Sequence, residues 1–222
     1  MSESTIITSE KIFRCFRSSF TSIAEVTKES LIRIDVNDPL YLADGTEPPQ
    51  SLTTRVGVEW NDKGILIFFR GRFEHLRMIS EGKKTGINSK TYKLWEQSDV
   101  FEVFIGVNVK QTKLYKEFQV SPDAQWIDID VNKQLKISNH HWYSGFQCRS
   151  FIDDDMKIWT SVFELPWNCF GLNKKIGDVW HANFYRASGS FHGEELLAWS
   201  PTGYGEKCFH RPEYFGKIEF IQ

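Results

Sequence analysis

The chain has 222 residues, 41% of them apolar, and 27 basic against 29 acidic side chains leave a formal charge of −2. That balance excludes the strong basic surface of a nucleic-acid binder and points to no strongly charged partner. Aromatic residues make up 15% of the chain (18 Phe, 8 Trp, 7 Tyr), and large planar side chains suit pleated sheets better than helices, so a β-rich domain is expected.

The segment Met1–Glu10 has no basic patch followed by an apolar run, so a cytoplasmic location is expected, or a secreted or periplasmic one if a leader has been removed. Residues 1–24 are read as an N-terminal segment packed on a single domain that spans 25–222. Thr46-Glu-Pro-Pro-Gln50 is an exposed connection before the first hairpin, which comprises 53–60 and 64–70 around the turn Asn61-Asp62-Lys63. The run Gly64-Ile-Leu-Ile-Phe-Phe69 is apolar but far shorter than the roughly 20 residues a bilayer requires, so no membrane partner is expected.

Residues 73–94 lack periodicity and carry Gly82, Lys83, Lys84, Gly86 and Asn88. They read as a long loop at one end of the fold. A meander of 100–106, 114–120 and 125–131 follows, then strands at 146–152 and 156–164 around Asp153-Asp154-Asp155, and further strands at 178–187 and 217–221. Leu165-Pro166 opens one short helix that Gly171 closes. About ten strands without intervening helices predict an all-β fold, a two-sheet antiparallel, jelly-roll-like β-sandwich with one short helix and long loops. Cys15, Cys148, Cys169 and Cys208 show no C-x-x-C spacing and are expected as reduced, packed thiols.

Alternate strand residues point to opposite faces. In 114–120 one row is Leu114, Lys116, Phe118 and Val120, and the other is Tyr115, Glu117 and Gln119, a hydrogen-bonding row unsuited to a sandwich core. Strand 100–106 is apolar on both faces except at Glu102, whose carboxylate must be paired, hydrogen-bonded or open to a ligand cleft. If these strands pair, Glu102 joins Tyr115, Glu117 and Gln119, and the next strand is expected to add Trp126, Asp128 and Asp130. An acidic, amide-bearing and aromatic concavity of this kind suits a neutral polyhydroxylated ligand, whose C–H faces stack on rings and whose hydroxyls bond carboxylates and amides. There is neither a Gly-rich phosphate loop nor an Arg cluster.

Leu94-Trp-Glu-Gln-Ser-Asp-Val-Phe-Glu-Val-Phe104, Glu117-Phe-Gln-Val-Ser-Pro122, Trp180-His-Ala-Asn-Phe-Tyr-Arg186, Ala198-Trp-Ser-Pro-Thr202 and Phe209-His-Arg-Pro-Glu-Tyr-Phe-Gly-Lys217 together resemble the family 9 carbohydrate-binding modules and their bacterial family-9-like relatives, DOMON-like β-sandwiches. The resemblance runs from about residue 25 to the end. It implies a non-catalytic module that grips a mono- or oligosaccharide of glucan or xylan type between two Trp faces, linked to polysaccharide catabolism and commonly carrying structural calcium. The stacking pair falls on Trp95 and Trp199, and the sugar-binding Glu on Glu102. Gln119 stands where the family carries an Arg, Asn183 matches a family Asn, and Glu117 completes the candidate ligand set.

Trp60, Trp159, Trp167 and Trp180 are expected to be packing residues. Asp153-Asp154-Asp155 reads as a hydrated turn and His140-His141 as surface, so the calcium implied by the resemblance has no assigned ligands. Two alternatives stand beside the module: a glycoside hydrolase using Glu102 and Glu117, for which the carboxyl separation would have to be about 5 to 10 Å, and a protein-interaction sandwich that has lost its sugar site.

Overall fold

The computed structural model describes residues 11–79, 90–171, 177–189, 195–205 and 208–222. Within them the chain forms β1 (Ile12–Arg17), β2 (Asp38–Pro39), β3 (Tyr41–Leu42), β4 (Thr54–Trp60), β5 (Gly64–Arg72), β6 (Val100–Gly106) and β7 (Leu114–Val120). It continues with β8 (Trp126–Asn132), β9 (Ile137–Asn139), β10 (Gln147–Asp153), β11 (Ile158–Pro166), β12 (Val179–Ser188), β13 (Glu195–Ala198) and β14 (Gly216–Phe220). The expected long hairpin strands are all present to within a few residues. The expected helix is a single 3₁₀ turn, Trp167–Phe170, entered from Pro166 and closed by Gly171 at φ 70, the left-handed position glycine fills without strain. No helix among the described residues is long and apolar enough to cross a membrane.

Two separate antiparallel sheets do not form. One limb runs β10-β11-β5-β4 and the other β14-β12-β6-β7-β8-β9, and β1 joins them into one strongly curled mixed sheet. Ile12–Cys15 lies parallel to Lys217–Phe220 of β14, and the next two residues, Phe16 and Arg17, lie parallel to Glu59 and Trp60 of β4. Local hairpin signals do not reveal such a strand, because its partners are 43 or more residues away in the sequence. The β4–β5 turn follows its own chemistry: Asn61 Oδ1 accepts from the N–H groups of Lys63 and Gly64 at 2.8 and 2.9 Å.

The interior between the limbs is aromatic. Phe101 stacks on Trp159 with ring centroids 3.7 Å apart and on Phe69 at 4.7 Å, and Trp60, Trp126, Trp159, Trp167, Trp180 and Trp199 all belong to it. A second apolar cluster covers the opposite face of the β12-β6-β7-β8 limb, where Val100, Phe104, Tyr115, Ile127, Ile129, Val131 and Tyr185 lie beneath Ile79, Leu94, Cys208 and Phe209. Strand β6 is therefore buried on both sides, which explains its nearly continuous apolar sequence. None of the four cysteines forms a disulfide, and burial pushes the thiols of Cys148 and Cys169 up to about 12, so they stay protonated.

One cation crosses the interior. Arg186 of β12 is fully buried and donates to Arg72 O at 2.7 Å, Thr54 Oγ1 at 2.9 Å and, more weakly, Leu52 O at 3.4 Å. These acceptors lie in or beside β4 and β5, so the guanidinium ties the two limbs together. Asp99 supplies charge compensation from beyond Ser188.

Candidate functional site

The face of the β12-β6-β7-β8 limb away from the interior carries the polar residues singled out by strand parity. In the register, Tyr185 pairs with Glu102, Glu102 with Gln119 and Gln119 with Ile127. The next row along the strands is Asn183, Phe104, Glu117 and Ile129. Residues directly opposite one another share a face, so Glu102, Gln119 and Glu117 stand together, as expected. Trp126, Asp128 and Asp130 do not join them. They oppose Val120, Phe118 and Lys116 and point to the other side, because on β8 the residues facing the polar row are Ile127 and Ile129. The expected concavity is thus narrower and less acidic than parity suggested, a polar strip between apolar walls.

Within the strip Gln119 Nε2 donates to Glu117 Oε1 at 2.7 Å, while Gln119 Oε1 has no hydrogen-bond partner among the described residues. His210, from the segment before the last strand, shares a 2.7 Å hydrogen bond between its Nδ1 and the Tyr115 hydroxyl, and its Nε2 lies 3.9 Å from Glu117 Oε2. The same segment is stitched down by Tyr185, whose hydroxyl donates to Phe209 O at 2.9 Å and whose ring stacks on Phe209 at 4.1 Å. His210, Tyr185 and Phe209 were not singled out as site residues from the sequence. Tyr185 shows the same strand alternation that singles out Glu102, but the 208–215 segment has no period to follow.

Burial holds the Glu117 carboxyl up at about 7, against the opposing pull of the Gln119 hydrogen bond. In the unfolded chain it would titrate near 4.5. The folded state therefore keeps a proton that the unfolded state sheds between those values, a contribution complete below about 4.5 and lost as pH rises through about 7. The shift bounds it at about 3 kcal/mol. Glu117→Gln fixes the neutral form, so its urea midpoint should match the parent near pH 4.5 and exceed it at pH 8. A variant that follows the parent across the whole range contradicts this reading.

The two expected stacking tryptophans are not equivalent. Trp95 is half-buried on the 3₁₀ turn Leu94–Glu96, which follows Lys93 in the left-handed region (φ 56), and it packs against the cluster on the strip's face. It is the one tryptophan of the eight on that side; the other seven line the interior between the limbs. Trp199 is the correction. It is fully buried, its Nε1 donates to Asp38 Oδ1 at 3.1 Å, and its ring lies 5.8 Å from Phe13 and 5.5 Å from Phe184. The cause is strand alternation: Ala198 belongs to the strip-side cluster, so the next residue turns inward. No two-tryptophan clamp forms. Asn183 lies in the strip's row but is fully buried and its amide is committed to main chain, with Oδ1 accepting from Phe184 N and Ser200 N at 2.9 Å and Nδ2 donating to Ser200 O at 2.7 Å. Its amide fastens the Ala198–Ser200 segment to β12.

Among the described residues no group of three His, Cys, Asp or Glu side chains could hold a metal. Asp153 accepts from Met156 N and pairs with Lys28, as a turn residue does, and His141 is exposed. The described residues therefore assign no ligand set to the calcium that the sequence resemblance implies. Two open grooves lie away from the strip, beside β1. One of about 520 Å³ is bordered by Phe16, Arg14, Asp35, Asp38 and Glu59, and one of about 490 Å³ by Phe20, Thr27, Ile34 and Glu59.

No protein-family model and no curated protein sequence matches the chain. Solved structures do. A candidate carbohydrate-binding protein from Bacteroides uniformis has a TM-score of 0.74 at 16% identity, over 96% of this chain and all of that one. A family 9 carbohydrate-binding module from Caldicellulosiruptor kristjanssonii, in complexes with glucose and with cellotriose, gives TM-scores of 0.64 and 0.63 at 11% and 10% identity. The alignments cover 95% of this chain in both cases and 95% and 94% of the respective modules. At these identities the likeness is one of fold, and it spans nearly the whole chain. It is the fold of family 9 modules that the sequence motifs led one to expect.

Proposed function

We propose that the chain binds a neutral sugar, without transforming it, on the strip formed by Glu102, Gln119 and Glu117, with Trp95 as the stacking platform. The supporting observation is the strip itself. Three hydrogen-bonding side chains sit side by side on adjacent strands, walled by Ile127, Ile129, Phe104 and Tyr185, with the half-buried Trp95 and the 30%-exposed His210 side chain on the same face. The three side chains are only 2–4% exposed, so a ligand would reach them from the Trp95 and His210 edge, where carboxyl and amide oxygens accept hydroxyl protons and apolar walls favour the C–H faces of a pyranose. Gln119 in place of an arginine keeps the strip without a cationic fork, which favours a neutral hydroxylated ligand over an anionic one.

The fold neighbours bind glucose and cellotriose, so short β-glucans are the first ligands to test. A disaccharide has about 23 heavy atoms, and at roughly 0.3 kcal/mol per atom its binding reaches at best about −7 kcal/mol, a Kd in the micromolar range or weaker. In calorimetric titrations with glucose, cellobiose and cellotriose, Trp95→Ala should weaken binding about thirtyfold, the equivalent of about 2 kcal/mol. The groove beside the exposed Phe16 is the rival location, and Phe16→Ala should leave affinity unchanged. Loss of binding in Phe16→Ala but not Trp95→Ala, or aryl-glycoside turnover that disappears in Glu102→Gln, would overturn the proposal.

A further inference from the structure

Near the start of β8, on the face opposite the strip, the chain builds a cage of oxygens around one of its own amines. The Lys90 ammonium contacts Asp128 Oδ1 and the carbonyl oxygen of Trp142, and lies 3.0 Å from each of the carbonyl oxygens of Asp128 and His140. The Lys90 side chain is 9% exposed and that of Asp128 is wholly buried. The other carboxylate oxygen, Asp128 Oδ2, is held by the N–H of Ser144 at 2.7 Å and its hydroxyl at 2.5 Å, which fixes the orientation of Oδ1. Four oxygens from two separate stretches of chain thus converge on one point. An ammonium has three protons to share among them.

Three carbonyl dipoles and a carboxylate aimed at a common centre repel one another and are costly to bury unless a positive charge sits between them. Oxygens of these two kinds, a carboxylate and main-chain carbonyls, are the ligands a hard cation such as calcium takes. We infer that this cage is a cation site whose occupant is supplied by the chain itself: Lys90 fills the place a bound hard cation would take, and its removal opens a site for an inorganic one. The placement has a structural consequence. Thr91 is bonded to the same end of β8, through its N–H to Trp126 O at 2.8 Å and its hydroxyl to Gln125 Oε1 at 2.9 Å, so the plugged cage fixes the chain four residues before Trp95. The inference does not depend on sugar binding.

The test uses the full chain, parent and Lys90→Ala, stripped with EDTA and titrated with CaCl2 and, separately, with TbCl3. In EDTA the variant should melt on the order of 10 °C lower, since it leaves a buried carboxylate without its partner. Millimolar calcium should restore about half of that loss while moving the parent by no more than about 1 °C. Terbium luminescence excited through tryptophan should rise in Lys90→Ala, whose cage includes the Trp142 carbonyl, and Asp128→Asn added to Lys90→Ala should abolish both responses. If Lys90→Ala does not accumulate in folded form, Lys90→Gln, which retains most of the stem and removes the charge, replaces it in the same titrations. A variant that ignores both ions, or one rescued equally well without the Asp128 carboxylate, would overturn the inference.

Discussion

Trp199→Ala should lower the stability of the chain by about 3–5 kcal/mol, the range for truncating a buried Trp in a close-packed core, and should do so without a specific loss of sugar affinity in the folded fraction. The indole fills the space between Phe13 and Phe184 and lies against the backbone of Gly216, where an added Cβ would come within 2.3 Å of Trp199 Cζ3. Removing it leaves a cavity against backbone that cannot collapse freely and takes the indole N–H away from Asp38. Trp199→Phe keeps part of the volume and should cost distinctly less. Urea unfolding measures the stability and calorimetry on the same samples the affinity. A variant that folds as stably as the parent but no longer binds sugar would restore Trp199 to the ligand site.

Arg186→Met should be comparably damaging, about 3–5 kcal/mol, although methionine fits an apolar interior well. The substitution strips the donor from Arg72 O, Thr54 Oγ1 and Leu52 O at once. It also leaves the Asp99 carboxylate, whose titration burial already raises, without the positive charge that offsets it. Burial brings the Arg186 guanidinium down to about 10, which still leaves it charged at neutral pH. The double variant Arg186→Met, Asp99→Asn should recover part of the loss, and the coupling in that cycle measures the charge compensation separately from the lost hydrogen bonds. Strictly additive effects would show that Asp99 and Arg186 act independently.

Local periodicity carried much of the architecture. The hairpin around Asn61, the meander from Val100 to Asn132 and the single helical turn after Pro166 were legible because each is written in consecutive residues. Strand β1 was not, since its parallel partners come from Glu59 and Trp60 on one side and from Lys217–Phe220 on the other, and that strand turns two sheets into one curled sheet. The candidate site divides the same way. Glu102, Glu117 and Gln119 came from alternation within single strands and do share a face. For Trp126, Asp128 and Asp130 alternation alone does not fix the β7–β8 register, and a one-residue difference sends all three to the opposite side. Trp199 was placed by motif, whereas its direction is set by β13 alternation; Lys90 lay in a loop without period, and only the folded chain brings it to Asp128.

The most direct test is a crystal structure of the chain grown with cellotriose. The account predicts one glucosyl ring in contact with the Trp95 indole, with hydroxyls within hydrogen-bond distance of Glu102 and Gln119, while Trp199 keeps its bond to Asp38. Ligand seated instead in the groove beside Phe16, or against Trp199 with its indole turned out of the interior, would contradict it.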